Sequence, residues 1–400
     1  MMKNWFERNP KKIFVFFLCL LLLGGVLVTE KMLAWKSHTY KSGLTRVIRL
    51  REYEPLYQGT FTPSPDDLRM ADSLVKKPYP FRIDSDGFIE PSRVHAHPDL
   101  TLVFLGGSTT ACCYMDEKER FPYQVGRLLE KETKLKVNSY NSGVGGNFSL
   151  HSLDILLNKV MPLKPDIVVM MHNVNDLTVL MFANSYWSKA FKGGNTTPVV
   201  VLKKRFIDFR LLVETLIPHL YYELRNLERK IRRTLKPKQA RKQEDELRDF
   251  RGKKLVIDQA KLLEQFKMNL RLFINMCKAR DITPVLMTMA NRLKDQPDPL
   301  INRLTAGLER DQGITYKEYK EIFDLFNEAI RQTAAANGAT VIDLAGAVPQ
   351  EREYIYDIVH FNGKGSKFAS QVIAEGLKPL IASKAGHSPL PAKPHIPPGK

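Results

Sequence analysis

From residue 100 onward, short apolar runs alternate with longer segments whose apolar residues recur at helical spacing. "LTLVFLG" (100–106), "DIVVMMH" (166–172), "TPVLMTM" (283–289) and "ATVIDL" (339–344) are such runs, and "KVNSYNSG" (136–143) is a weaker one. A strand buried on both faces needs continuous rather than alternating apolar character. Between the runs, 120–133, 149–161, 259–280, 316–337 and 363–381 carry helical periodicity; the second stops before Pro162 and the fourth ends at Gly338. Strands alternating with helices of this length predict a parallel sheet covered on both faces.

A parallel sheet collects the C-terminal ends of its strands on one edge, and ligands of such folds bind outside that edge. The residues that follow each strand are therefore informative. Gly106, Gly107 and Ser108 follow the first, and "NSGVGGNFS" with Gly143, Gly145 and Gly146 follows the second. "HNVND" with Asn173, Asn175 and Asp176 follows the third, and "YDIVHFNGKG" with Asp357 and His360 follows the last. A hydroxyl, a glycine turn, an amide, a carboxylate and an imidazole thus share one rim.

These are the parts of acyl transfer. A serine hydroxyl is a weak nucleophile until a base takes its proton, and a neutral histidine suits that task. A carboxylate three residues before the histidine can hold the ring, provided the loop folds back. A glycine N–H and an asparagine amide are uncharged donors for an oxyanion. Other chemistries lack support. "GGSTTA" has Thr110 where a G-x-S-x-G elbow needs glycine, "FNGKGSK" lacks the upstream glycine of a P-loop, and no H-E-x-x-H occurs. His95 and His97 are expected in a loop, and His172 as a satisfied histidine at a strand end. No metal and no cofactor are expected.

"FLGGSTT", "NSGVGG", "NVND" and "DIVH" together resemble the four sequence blocks of the SGNH/GDSL hydrolases, over about 100–382 apart from an insertion at 182–257. The resemblance implies a flavodoxin-like three-layer α/β/α sandwich. It implies Ser108 as nucleophile and first oxyanion donor through its backbone N–H, Gly146 as the second donor, Asn175 as the side-chain donor, and Asp357 with His360 as the rest of the triad. Two positions depart from the family pattern: Gly107 stands where an Asp is usual, and Asn173 where G-x-N-D has glycine, a place from which it would crowd the site. "FRIDSDGFIEPS" also resembles a lead-in motif of membrane-anchored members from bacterial envelope-glycan systems.

The remaining segments set the context. "IFVFFLCLLLLGGVLVT" (13–29) is uncharged and near the minimum length of a bilayer span, so 1–36 is expected to be a tail and an uncleaved signal-anchor. Lys3, Arg8, Lys11 and Lys12 precede it while Lys31, Lys36, Lys41, Arg46 and Arg49 follow, so flanking charge does not orient it. Residues 37–98 are expected as a linker and lead-in, 99–385 as the hydrolase domain, and 386–400 as a disordered Pro-rich tail. The net charge of +18 suits an anionic partner such as a membrane surface or acidic glycan. Nucleic acid is not expected, since no zinc-finger or RRM signature accompanies the charge. Within 223–254, thirteen Lys/Arg face six Asp/Glu over helical apolar spacing, which predicts either an inserted hairpin with a solvated basic face or a surface for anionic lipid or glycan. Cys19, Cys112, Cys113 and Cys277 include no C-x-x-C and predict no disulfide scaffold.

The expected function is a serine ester hydrolase, anchored in the inner membrane with its domain periplasmic or extracellular. It would remove O-acyl groups, acetyl foremost, from an envelope glycan or lipid. An O-acetyltransferase would use the same triad with a sugar hydroxyl as acceptor. A glycan-binding or assembly protein with a vestigial site is the non-catalytic alternative, against which the intact Ser108, Asp357 and His360 stand.

Overall fold

A computed structural model describes residues 9–36, 50–187, 213, 216–235 and 252–385. Chain contacts divide the protein into two compact units, Met1–Lys41 with Thr197–Glu244 and Ser42–Thr196 with Asp245–Lys400. The second unit holds a hairpin of β1 (Gln58–Phe61) and β2 (Tyr79–Arg82). It also holds a parallel sheet of β3 (Leu100–Gly106), β4 (Val137–Asn141), β5 (Ile167–Met171), β6 (Thr283–Met287) and β7 (Thr340–Ile342). The sheet order is β4-β3-β5-β6-β7. Counted within the sheet, this is the 2-1-3-4-5 order of flavodoxin-like folds.

Every residue of β3, β4 and β5 is buried; β3 and β5 meet this with near-continuous apolar runs, while β4 also buries the polar Asn138, Ser139 and Asn141. Register places Val103 against Val168 and Val168 against Pro284. Taking the N-terminal apolar helix as α1 (Pro10–Lys36), the longer helices of the sheet unit begin with α2 (Phe121–Thr133), α3 (Ser149–Ile155) and α4 (Val174–Ala183). With the first unit's α5 (Pro218–Leu235) intervening in sequence, α6 (Gln259–Lys278), α7 (Pro299–Gln312), α8 (Tyr316–Ala336) and α9 (Gly363–Ala385) follow. α2 packs with α9, while α3, α4, α6 and α8 pack among themselves, so the helices form two layers about the sheet. Tyr319, Ile322, Phe323, Phe326 and Ile330 make the buried stripe of α8, and Phe326 stacks on Phe266 of α6 at 4.7 Å.

Two expectations change. The segment read as a helix stopping before Pro162 continues past it: α3 passes into a wider turn at Leu156–Val160 and a tight turn at Met161–Leu163. Pro162 sits in the first turn of that last piece, where a missing N–H breaks no internal bond. The periodicity assigned nothing to α7, which the structure forms between the cap Asp298, whose carboxylate accepts from Leu300 and Ile301, and Gly313.

Residues 50–98 are more than a linker. The Asp84 carboxylate accepts the N–H groups of Asp86 and Phe88 and the Ser92 hydroxyl, which ties "DSDGF" into a closed turn. The turn carries Phe88 onto Tyr140, and Ile89 bridges to Asn141 at the end of β4. Arg120 joins this segment to the domain. It is 1% exposed, donates to the carbonyls of Glu90 and Pro80 at 2.6 Å each, and lies over the ring of Phe81. A buried cation surrounded by carbonyls leaves several acceptors unpaired when it is removed. Arg120→Leu should lower unfolding stability by about 3 kcal/mol in denaturant titration and make the 50–98 segment sensitive to limited proteolysis.

Candidate active site

β3 ends at Gly106, and the chain turns at Gly107 into a short helix, Ser108–Ala111. Gly107 leaves room for a neighbour: a Cβ there would lie 2.6 Å from Nδ2 of Asn175 and 3.1 Å from the Asn147 carbonyl oxygen, so a side chain would have to displace that amide. The position where the family pattern has Asp is therefore where this chain seats the Asn175 amide. As first residue of the helix, Ser108 has a backbone N–H without an intrahelical acceptor.

The loop after β7 brings Asp357 and His360 to the same place. Asp357 Oδ1 accepts the N–H groups of Val359 and His360 at 2.9 and 2.8 Å, which folds the D-x-x-H segment back on itself. Its other oxygen accepts from His360 Nδ1 at 2.6 Å, and His360 Nε2 lies 2.8 Å from Ser108 Oγ. With the Nδ1 proton directed at the carboxylate, Nε2 is the acceptor that faces the serine hydroxyl. The Tyr356 ring stacks on the imidazole at 5.5 Å and 9° and fixes its plane.

Burial alone would pull His360 down and push Asp357 up. Their mutual attraction and hydrogen bond outweigh it, so the histidine lies above its ordinary 6.5 and the carboxyl below its ordinary 3.8. The arrangement favours an imidazolium beside a carboxylate, which is the state reached when His360 takes the serine proton.

The glycine loop after β4 offers a further donor. The N–H of Gly145 is used by the Tyr53 hydroxyl and that of Asn147 by the Val144 carbonyl, while that of Gly146 has no acceptor among the described residues. Gly146 has φ +74°, and Arg51 grips the loop by donating to the Gly146 carbonyl at 2.7 Å and the Gly145 carbonyl at 3.5 Å. Across a trans peptide, a carbonyl drawn toward Arg51 points the following N–H away from it. Asn175, the second residue of α4, donates from Nδ2 to the Asn147 carbonyl at 2.8 Å, so loop and amide are coupled.

Asn173 does not crowd the site. Its side chain turns into the protein, where Nδ2 donates to the Phe323 carbonyl and to Asn327 Oδ1, and Asn327 in turn holds both backbone groups of Met289. Asp176 is buried beneath the rim and accepts from the Ser149 N–H and hydroxyl and from the Tyr186 hydroxyl; burial pushes its carboxyl up to about 6. His172 is a satisfied histidine 2.7 Å from the Ser152 hydroxyl, and burial pulls it down to about 3. His95 lies in a loop against Glu130 at 2.8 Å. Among the described residues no group of three His, Cys, Asp or Glu could hold a metal ion.

The structure therefore brings Ser108, His360 and Asp357 into one hydrogen-bonded line and sets Asn175 and Gly146 on linked turns of the same rim. Sequence reasoning missed Arg51, Tyr53 and Tyr356. The first two come from the 50–98 segment, and only Tyr356, adjoining the D-x-x-H pair, stood near a recognised signal. A cavity of about 140 Å³ opens beside Ser108 and His360, walled by Met70, Leu74, Tyr114 and Tyr356.

A sequence profile described as the GDSL-like Lipase/Acylhydrolase family matches residues 104–368. Among solved structures, the acetylxylan esterase Axe2 from Geobacillus stearothermophilus is 15% identical, covering 70% of this chain and 94% of that one, with a TM-score of 0.39. A lipase/acylhydrolase from Enterococcus faecalis is 17% identical over 70% and 96%, with a TM-score of 0.40. A putative GDSL-like lipase from Parabacteroides merdae is 12% identical over 71% and 98%, with a TM-score of 0.42. No curated protein matches the chain significantly.

Two measurements address the site. Asn175→Ala should lower kcat for an aryl ester by about 10²–10³ with KM little changed, and Gly107→Ala should act in the same direction by displacing that amide. Unchanged kcat in both would make Asn175 a turn residue. Because protonated His360 cannot accept the serine proton, kcat/KM should rise with pH through an inflection above 6.5. Asp357→Asn should lower that inflection by removing the charge that raises it, along with a large loss of rate.

Proposed function

Because the chain belongs to the GDSL-like lipase/acylhydrolase family, we propose that it is a membrane-anchored serine ester hydrolase removing short O-acyl groups, acetyl foremost, from a cell-envelope glycan or lipid. The observation that carries the reading is the line from Ser108 Oγ through His360 at 2.8 Å to Asp357 at 2.6 Å.

In this reading Ser108 Oγ attacks the ester carbonyl as His360 Nε2 takes its proton, and Asp357 stabilises the imidazolium. The oxyanion receives the Ser108 and Gly146 N–H groups and the Asn175 amide. His360 then protonates the departing alcohol, leaving an acyl-Ser108. Water, giving a proton to the same histidine, attacks the acyl carbon; the bond to Ser108 Oγ breaks and His360 returns that proton to the serine, freeing the acid. The cavity supports a short acyl group, since about 140 Å³ is close to the ~150 Å³ that holds one benzene ring.

Anchoring is supported by Lys11–Trp35, a 25-residue apolar helix whose Phe14, Phe17, Leu21 and Leu22 are more than half exposed. Net charge of +18 suits an acidic polymer or surface as the substrate's carrier. The hydrolase domain is assigned to the periplasmic or outer side of the inner membrane, where such glycans lie.

A membrane-impermeant fluorophosphonate tests both parts. It should label Ser108 in intact spheroplasts and leave Ser108→Ala protein unlabelled, with the site read by peptide mass spectrometry. Labelling only after lysis would reverse the topology and leave the nucleophile standing. Absence of labelling in folded, lysed samples would remove Ser108 as nucleophile.

A further inference from the structure

α5 falls with α1 in the unit apart from the sheet domain, and α1 supplies its cap. Pro218 has no N–H to offer. The next two backbone donors, His219 and Leu220, reach the Glu30 carboxylate at 3.0 and 2.7 Å, and His219 Nδ1 donates to it at 3.1 Å. Glu30 thus receives three donors at the positive end of a helix dipole, which is a favourable place for a carboxylate that closes the uncharged run 13–29.

The position of Glu30 sets the depth at which α5 begins. The uncharged residues 13–29 lie between Lys12 and Glu30, and at 1.5 Å per residue they rise roughly 25 Å, close to the ~30 Å of a hydrocarbon core. When α1 spans a bilayer, Glu30 comes to the hydrocarbon edge, and α5 starts there.

Leu220, Leu224, Leu227 and Ile231 recur along one side of α5 at helical spacing, and the last three are 56%, 52% and 46% exposed. Arg225, Arg229, Arg232 and Arg233 fall on the opposite side of the helical wheel by their sequence spacing. A hairpin that was merely solvated would not present a row of exposed leucines. An acidic glycan would match the arginines and leave that row in water. A helix with an apolar row, a basic opposite side and a start at the hydrocarbon edge matches the interface of a bilayer.

We infer that α5 lies in the membrane interface, with its leucine row on the acyl chains and its arginines among anionic lipid headgroups, at the end of the span where Glu30 emerges. The inference rests on α1 being a membrane span.

The test uses the full chain in vesicles of phosphatidylcholine with phosphatidylglycerol, carrying a photoreactive benzophenone residue in place of Leu20, Leu224, Leu227 or Arg229. Lipid adducts are expected at 20, 224 and 227, with several-fold less at 229. Vesicles of phosphatidylcholine alone should lower the yield at 224 and 227 by about fivefold or more and leave position 20 unchanged, since each arginine near an anionic surface contributes on that scale. An equal yield in both vesicles would overturn the part assigned to anionic headgroups. Lipid adducts at 20 with none, or only protein adducts, at 224 and 227 would overturn the inference and leave the anchor intact. Absence of lipid adducts at 20 would overturn the anchor, and the interfacial placement with it.

Discussion

The candidate site depends on one topological constraint, the reversal of strand order between β3 and β5. β4 lies on one side of β3 while β5, β6 and β7 extend on the other. Connections leaving β3 and β5 therefore diverge over opposite faces and leave a crevice above their adjacent C-terminal ends. Ser108 stands at one lip of it and Asn175 at the other. The parallel direction of every sheet neighbour puts the loops after β4 and β7 on the same edge, so residues 252 positions apart in the chain, Ser108 and His360, meet at 2.8 Å.

Beneath that rim lies a layer of buried polar side chains, paired through most of their polar atoms, with Oδ1 of Asn173 and of Asn269 as exceptions among the described residues. Asn173 and Asn327 fasten the start of α4 to α8 and to the end of β6. Asp176 fastens the same helix to Ser149 and Tyr186. Leaving such groups unpaired in the interior costs more than a neutral hydrogen bond returns, so the paired arrangement is strongly preferred over alternatives. The effect reaches the site through α4, whose first turn presents Asn175. Gly107 and Asn175 then form a complementary pair, since the missing side chain at 107 is the space that the amide occupies.

Much of this was legible in the chain itself. The strands β3, β5 and β6 stood out because burial on both faces leaves an unbroken apolar run. Ser108 and the Asn173–Asp176 motif stood out because they follow the apolar runs of β3 and β5 directly, whereas Asp357 and His360 lie beyond a short helix after β7; the matched family spans 104–368. α7 was not assigned from the sequence: two of its four buried residues, Thr305 and Gln312, are polar, which weakens the apolar stripe begun by Leu300 and Ile301. Of the 50–98 segment only the "FRIDSDGFIEPS" motif was legible. The segment's order comes from Asp84 closing a turn and Arg120 gathering carbonyls from distant residues, and neither interaction leaves a periodic trace.

By itself the sequence determined the class of fold and the residue types assembled on its rim. Alternating apolar periods decide which segments become buried strands and which become amphipathic helices, and both are local properties. Only tertiary structure decided which N–H of the glycine loop stays free, because that depends on Tyr53 and Arg51 arriving from far upstream. It also decided that Asn173 turns inward, since its partners Phe323 and Asn327 lie about 150 residues away. The protonation balance of His360 and Asp357 belongs to the same level: burial and charge act through distance and surroundings, which a spacing of three residues does not contain.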